Sequence, residues 1–278
     1  MELMIVRNKK ILCKATGKDA VHLVYQPKYK KGDTIVLKNP LEGFFRIRLE
    51  DTLEPAIVLI KKGISKYEIP FGVMRAGYSP RAFIGEKHLI EVTRCGEEAY
   101  DLRNIAFNPF DSKGDDPCSN GIYPHAYSNV RYADSFRNKI FPDKGLFAPR
   151  NVIDGITVSE SHRLYPHHSW GVNRNPEAEL TLEFGAPVNL QEVILTLRSE
   201  PGHDTWWESG VLSLHDAGSN RWEDQALTFE GTGEAQHFPM ERKGIDQIRF
   251  KDLKTSKEGF TALSGLAVMG SYGGRENG

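Results

Sequence analysis

The chain has 278 residues, 39% hydrophobic and 26% charged, with a formal net charge of −1. That length supports two domains with their own cores or one large all-β domain, and the composition is that of an ordinary folded, soluble protein. Near-neutral charge argues against nucleic acid as the main partner, and no apolar run reaches the roughly 18 residues of a membrane span.

Residues 1–103 read as strands. Segments 20–25, 33–37, 45–50, 56–60, 65–69 and 88–93 alternate or run apolar, separated by turn residues such as Lys31-Gly-Asp33, Asn39-Pro40 and Lys62-Gly63. Short strands at this spacing predict an antiparallel sandwich or jelly roll. Residues 97–104 fit either a last strand or one helical turn. The segment 109–147 changes character, with Pro, Gly and Asp punctuation followed by Tyr123-Pro-His-Ala-Tyr127. It is too rich in rings for a flexible linker, so it is expected to pack on the second half as a long loop.

The β pattern resumes at residue 148. Segments 180–184, 193–197, 211–215, 236–240, 247–250 and 263–269 read as strands, with Gly185-Ala-Pro187 and Asp216-Ala-Gly218 as turns. The predicted domains are 1–103, an N-terminal β-sandwich, and 104–272, a second jelly roll, with 273–278 as a frayed tail.

Charge is split between the halves. Residues 1–103 carry 19 Lys and Arg against 13 Asp and Glu, whereas the remainder carries 17 against 24. Two differently charged solvated surfaces account for this, and electrostatic attraction between halves or between partner chains is the sharper reading, which leaves a homo-oligomer open. Cys13, Cys95 and Cys118 are odd in number and lack CxxC spacing, as free thiols in a reducing compartment would. The first ten residues lack a basic start followed by an apolar stretch, so the chain reads as cytoplasmic.

In order along the chain, Asn104-Ile-Ala-Phe-Asn108, the Asp-Gly turn of Ala148-Pro-Arg-Asn-Val-Ile-Asp-Gly155, Ser169-Trp170, the strand-Gly-x-Pro-Val step ending at Val188, Gln191-Glu-Val-Ile-Leu-Thr-Leu197 and Leu266-Ala-Val-Met-Gly270 resemble the discoidin, or coagulation-factor C-type, domain. The 109–147 insertion and the His-rich loop 162–168 depart from that pattern. The resemblance implies a galactose-binding-like jelly roll in the C-terminal half, a saccharide partner, and a structural calcium tied by the carboxylate of Asp154; no other cofactor is required. Asp154-Gly155 reads equally as a plain turn.

A sugar ring offers apolar C–H faces to a Trp and a polar rim to His, Arg, Asn and Asp. Loops carrying these residues suggest His167, His168, Trp170, Arg174, His203, Asp204 and Trp206 as ligand contacts. Of Trp206 and Trp207, adjacent in a strand, one is expected in the core and the other near the site. Trp222 reads as ordinary packing. Six of the nine histidines fall between positions 125 and 215, a clustering that composition alone explains poorly. Neutral hydrogen bonding, acid–base chemistry and metal ligation compete for them. The tripeptide Tyr-Pro-His occurs at both 123–125 and 165–167. If both turns reached one cleft, Tyr123, His125 and His168 could move a proton, as in a lyase or hydrolase acting on saccharides. The leading expectation is a carbohydrate-binding protein, with that enzyme and a protein-interaction module as alternatives.

Overall fold

A computed structural model of the protein describes residues 1–111, 120–130, 143–159, 165–199, 205–255 and 257–273. Eight strands fill the first half: β1 (Glu2–Arg7), β2 (Lys10–Thr16), β3 (Ala20–Tyr25), β4 (Thr34–Asn39), β5 (Gly43–Arg48), β6 (Ala56–Ile60), β7 (Gly63–Glu68) and β8 (His88–Arg94). Nine follow: β9 (Arg103–Asn104), β10 (Ile122–Tyr123), β11 (His125–Ser128), β12 (Trp170–Gly171), β13 (Leu180–Leu197), β14 (Trp207–Asp216), β15 (Arg221–Thr228), β16 (Ala235–Thr255) and β17 (Ala262–Tyr272). The fold is all-β, as the alternation predicts.

The N-terminal half is two antiparallel sheets, ordered β2-β1-β4-β7 and β10-β6-β5-β8-β3. In β3, Val21, Leu23 and Tyr25 are buried while Ala20, His22 and Val24 face out, the period-2 signature of a half-buried strand. Leu3, Ile5, Ile35 and Leu37 of one sheet meet Phe45, Ile47, Ile60 and Val92 of the other in a single core. A void of about 10 Å³ remains there, about the size of one water. The β1–β2 hairpin was not legible beforehand. Its turn places Asn8 and Lys9 at φ 50° and 67°, a primed turn made without the Asn-Gly pair that would have announced it.

The C-terminal half is one large sheet, ordered β12-β17-β13-β16-β14-β15, with β11 beside β13 and β9 beside β17. The turn expected at 185–187 does not form. Instead β13 runs for 18 residues, and its pairing with β16 slips register between Glu183 and Val188 and twice more beyond. Such bulges bend a strand without ending it. Gly185 sits at φ 75° at the first of them, where a Cβ would meet the Tyr123 ring. Leu182 and Phe184 before the bend, and Val193 and Leu195 after it, enter one core. The predicted segments 236–240 and 247–250 likewise join within β16. β15 escaped the sequence because Arg221 to Ala226 are all exposed.

Trp170 and Trp207 lie at the centre of this core, 0% and 1% exposed, with ring centroids 5.9 Å apart and Phe250 5.6 Å from Trp207. The Trp170 indole N–H donates to Ser128 Oγ at 3.0 Å. This corrects the expectation for Trp170: its aromatic surface packs against protein, and its one polar atom is already used.

The halves share material. Phe110 and Ile122 belong to the N-terminal core and Leu59 to the C-terminal one. β10 pairs with β6 whereas β11 pairs with β13, so the segment expected to lie on the second half stitches both. Phe44 packs edge-on against Tyr272 at 4.6 Å. Residues 274–278 of the expected frayed tail lie outside the described residues, and β17 carries order through Tyr272.

Trp170→Ala should destabilise the protein by about 3–5 kcal/mol, the cost of emptying a large buried aromatic site. Urea unfolding followed by circular dichroism measures this; a near-wild-type midpoint would mean that Trp170 is not a core residue.

Candidate functional site

The segment from 148 to 154 forms a buried seam between the halves. A 3-10 turn, Pro149–Val152, presents Arg150 and Asn151 inward. The Arg150 guanidinium lies 4.0 Å over the Tyr78 ring, donates to Asn151 Oδ1 at 2.8 Å and to the Pro109 carbonyl at 3.2 Å, and faces Asp154 Oδ2 at 3.6 Å. Burial would lower its pKa, but the neighbouring Tyr78, Asp154, Tyr67 and Asp111 outweigh that and hold it above its usual value, so the cation persists. Asn151 Nδ2 reaches the carbonyls of Gly145, Leu146 and Ser169. Four chain segments therefore meet on two side chains.

Asp154 is committed within this seam. Its Oδ1 accepts the Ile156 N–H at 3.0 Å, closing the Asp-Gly turn, and its Oδ2 stands between Arg150 and His168 Nε2, the latter at 2.9 Å. A calcium held here would share Asp154 with the Arg150 guanidinium. Among the described residues no group of three or more His, Cys, Asp or Glu gathers as a metal site.

The predicted site residues separate. His125 is 0% exposed and bonds Asp111 Oδ1 through Nδ1 at 2.8 Å; the other Asp111 oxygen accepts the Ala126 N–H. His168 is buried against Asp154 and stacks on Tyr165 at 5.8 Å. Tyr123 packs on Gly185 under Lys61. The Tyr-Pro bonds at 123–124 and 165–166 are both cis, but the buried His125 lies on Asp111, the buried His168 on Asp154, and the buried His167 on the Ser159 hydroxyl. Tyr123, His125 and His168 thus do not line one open cleft, and the arrangement gives no support to a lyase. Arg174 is exposed and stacks on Phe260 at 4.3 Å. His203 and Asp204, with His162 and Arg163, lie outside the described residues.

Two predicted residues stand behind a real concavity. A cleft of about 880 Å³ opens between Thr157 to Ser159, the far end of β13 with Thr196 and Ser199, the turn at 232–235, and Ser264. His167 is 1% exposed and supports it through a 3.0 Å contact of Nδ1 with Ser159 Oγ. Trp206 is half-buried beneath the preceding turn, so close that a Cβ on Gly231 would overlap its ring. The lining is mixed: hydroxyls, peptide groups and the Glu234 carboxylate stand beside the apolar Val158, Pro166, Leu197 and Ala235. Sequence reading missed these Ser and Thr residues because such residues in strands and turns carry no spacing signal; only the folded sheet end gathers them.

Over about half its length the chain is similar to discoidin-type and family 32 carbohydrate-binding modules. No family model matches the chain, and no curated protein matches it. Among solved structures, a family 32 module from C. perfringens in complex with galactose is 13% identical, covering 51% of this chain and 90% of that one at a TM-score of 0.39. An F5/8 type C domain from Bacteroides fragilis is 16% identical, covering 53% and 91% at a TM-score of 0.39. A fucose-binding module from Streptococcus pneumoniae is 12% identical, covering 60% and 97% at a TM-score of 0.39.

Arg150→Met should lower stability by about 3–5 kcal/mol, because it leaves Asp154 buried without its cation. Arg150→Met combined with Asp154→Asn should recover part of that loss in the same urea titration; a double variant no better than the single one would mean that the two charges do not interact.

Proposed function

We propose that the protein binds a saccharide in the cleft between Thr157, Ser199 and the turn at 232–235. The supporting observation is its form: about 880 Å³, walled by hydroxyls, peptide groups and one carboxylate, with Val158, Pro166, Leu197 and Ala235 as short apolar patches between them. That volume falls in the range of small-molecule sites, roughly 300–1,000 Å³. Hydroxyl and amide groups both donate and accept, as the rim of a sugar does. The cleft offers no stacking ring among its described lining residues, so recognition rests on the hydroxyl rim.

The ligands of the similar modules supply the first sugars to test. Titration calorimetry with galactose and fucose up to millimolar concentration should show binding to one of them. Gly233→Trp, which sets an indole at an exposed point of the cleft wall, should abolish that binding and leave the unfolding midpoint unchanged. Retained affinity in this variant would place the sugar elsewhere, and failure of both sugars would count against a monosaccharide reading of the cleft.

A further inference from the structure

A second polar surface lies at the other end of β13, on the sheet face turned away from the core. Strand register aligns Glu183 of β13, Gln247 of β16, His215 of β14 and Trp222 of β15 in one lateral row. Laterally paired residues point to the same side of a sheet. Arg249 lies two residues along β16 on that same face. The alternate residues, Leu182, Ile248 and Leu214, are in the core, so a packed interior backs the row.

Most of the charges here are already paired. His215 bonds Asp246 at 2.6 Å and Lys251 meets Asp224 at 3.2 Å. Arg249 is different. Its guanidinium lies 4.4 Å over the Trp222 ring, has no hydrogen bond or ion pair among the described residues, and keeps a buried Nε without an acceptor. Gln247 has no side-chain hydrogen bond there either. Among the described residues the half-buried Glu183 accepts one side-chain hydrogen bond, from the Tyr127 hydroxyl at 3.4 Å. Trp222, expected to be ordinary packing, is 40% exposed.

Arg249 and Glu183 are diagonal neighbours across β16 and β13 and form no ion pair among the described residues. Here the register sets Thr181, not Glu183, opposite Arg249, and the guanidinium turns toward Trp222. A fork of donors beside the row, and an amide and one carboxylate oxygen within it, are left without a hydrogen-bond partner among the described residues, and the row begins at an exposed indole. We propose that this face is a second ligand site, for a neutral oligosaccharide. Vicinal hydroxyls can satisfy Arg249, Gln247 and Glu183 together, because each hydroxyl both donates and accepts. An acidic sugar would bring its carboxylate against Glu183. Three interstrand steps separate Trp222 from Glu183, about 14 Å at the usual strand spacing, which calls for several linked rings.

The test is calorimetry and tryptophan fluorescence with cellohexaose, xylohexaose and mannohexaose, with hexagalacturonic acid as the acidic comparison. One neutral hexasaccharide should bind and shift the indole emission. Trp222→Ala, at an exposed ring, and Arg249→Lys, at a half-buried guanidinium, should each weaken it at least about ten-fold, the second because an ammonium lacks the planar fork. Gly233→Trp should leave this binding intact, which separates the face from the cleft. The proposal is overturned if none of the three neutral sugars binds at millimolar concentration, if only hexagalacturonic acid binds, or if affinity survives in both face variants.

Discussion

The buried Arg150 guanidinium is the constraint on which the rest of the molecule turns. A permanent cation removed from water must be surrounded by groups that replace its hydration. Here those groups come from separate places in the chain: the Tyr78 ring from the first half, the Pro109 carbonyl from the connecting segment, and Asn151 and Asp154 from its own turn. Asp154 in turn holds His168, and the next residues lead to Ser169 and the Trp170 core. Satisfying one charge thus fixes how the connecting segment leaves one sandwich and enters the other.

Much of the fold was legible in the sequence because alternation reports directly which face of a strand is wet. β3 and β6 match their predicted spans, since each lies between clear turn residues. Legibility failed where backbone geometry and local chemistry disagreed. Gly185-Ala-Pro187 has turn composition, yet the strand passes through it on a bulge. β15 has an almost wholly polar sequence and persists because cross-strand bonds to β14 hold it. The aromatic and histidine clustering around 148–207 was a real signal, but much of what it reported was interior. Trp170, His125 and His168 have rings large enough to fill space and polar atoms that found protein partners or neighbours. The hydroxyl lining of the cleft and the exposed Trp222–Arg249 pair gave no comparable signal, since their meaning depends on which strands become neighbours.

The two polar surfaces of the C-terminal half are built by different means. The cleft gathers short side chains from a loop, a strand end and a turn, so its shape depends on how those connections settle. The outer sheet face presents longer side chains at fixed lateral intervals on strands whose opposite side is core, which suits an extended binding partner more than a compact one.

The shared cores carry a consequence for how the halves move. Leu59 reaches into the C-terminal core, while Phe110 and Ile122 reach into the N-terminal one. Two modules joined by a tether would sample many mutual angles. Here a pivot would have to withdraw apolar side chains from both interiors and separate Arg150 from Tyr78 at once. The chain should therefore diffuse as a single rigid body, with the outer sheet face held at a constant angle to the N-terminal sandwich. Cutting it near residue 104 would expose apolar surface on each piece.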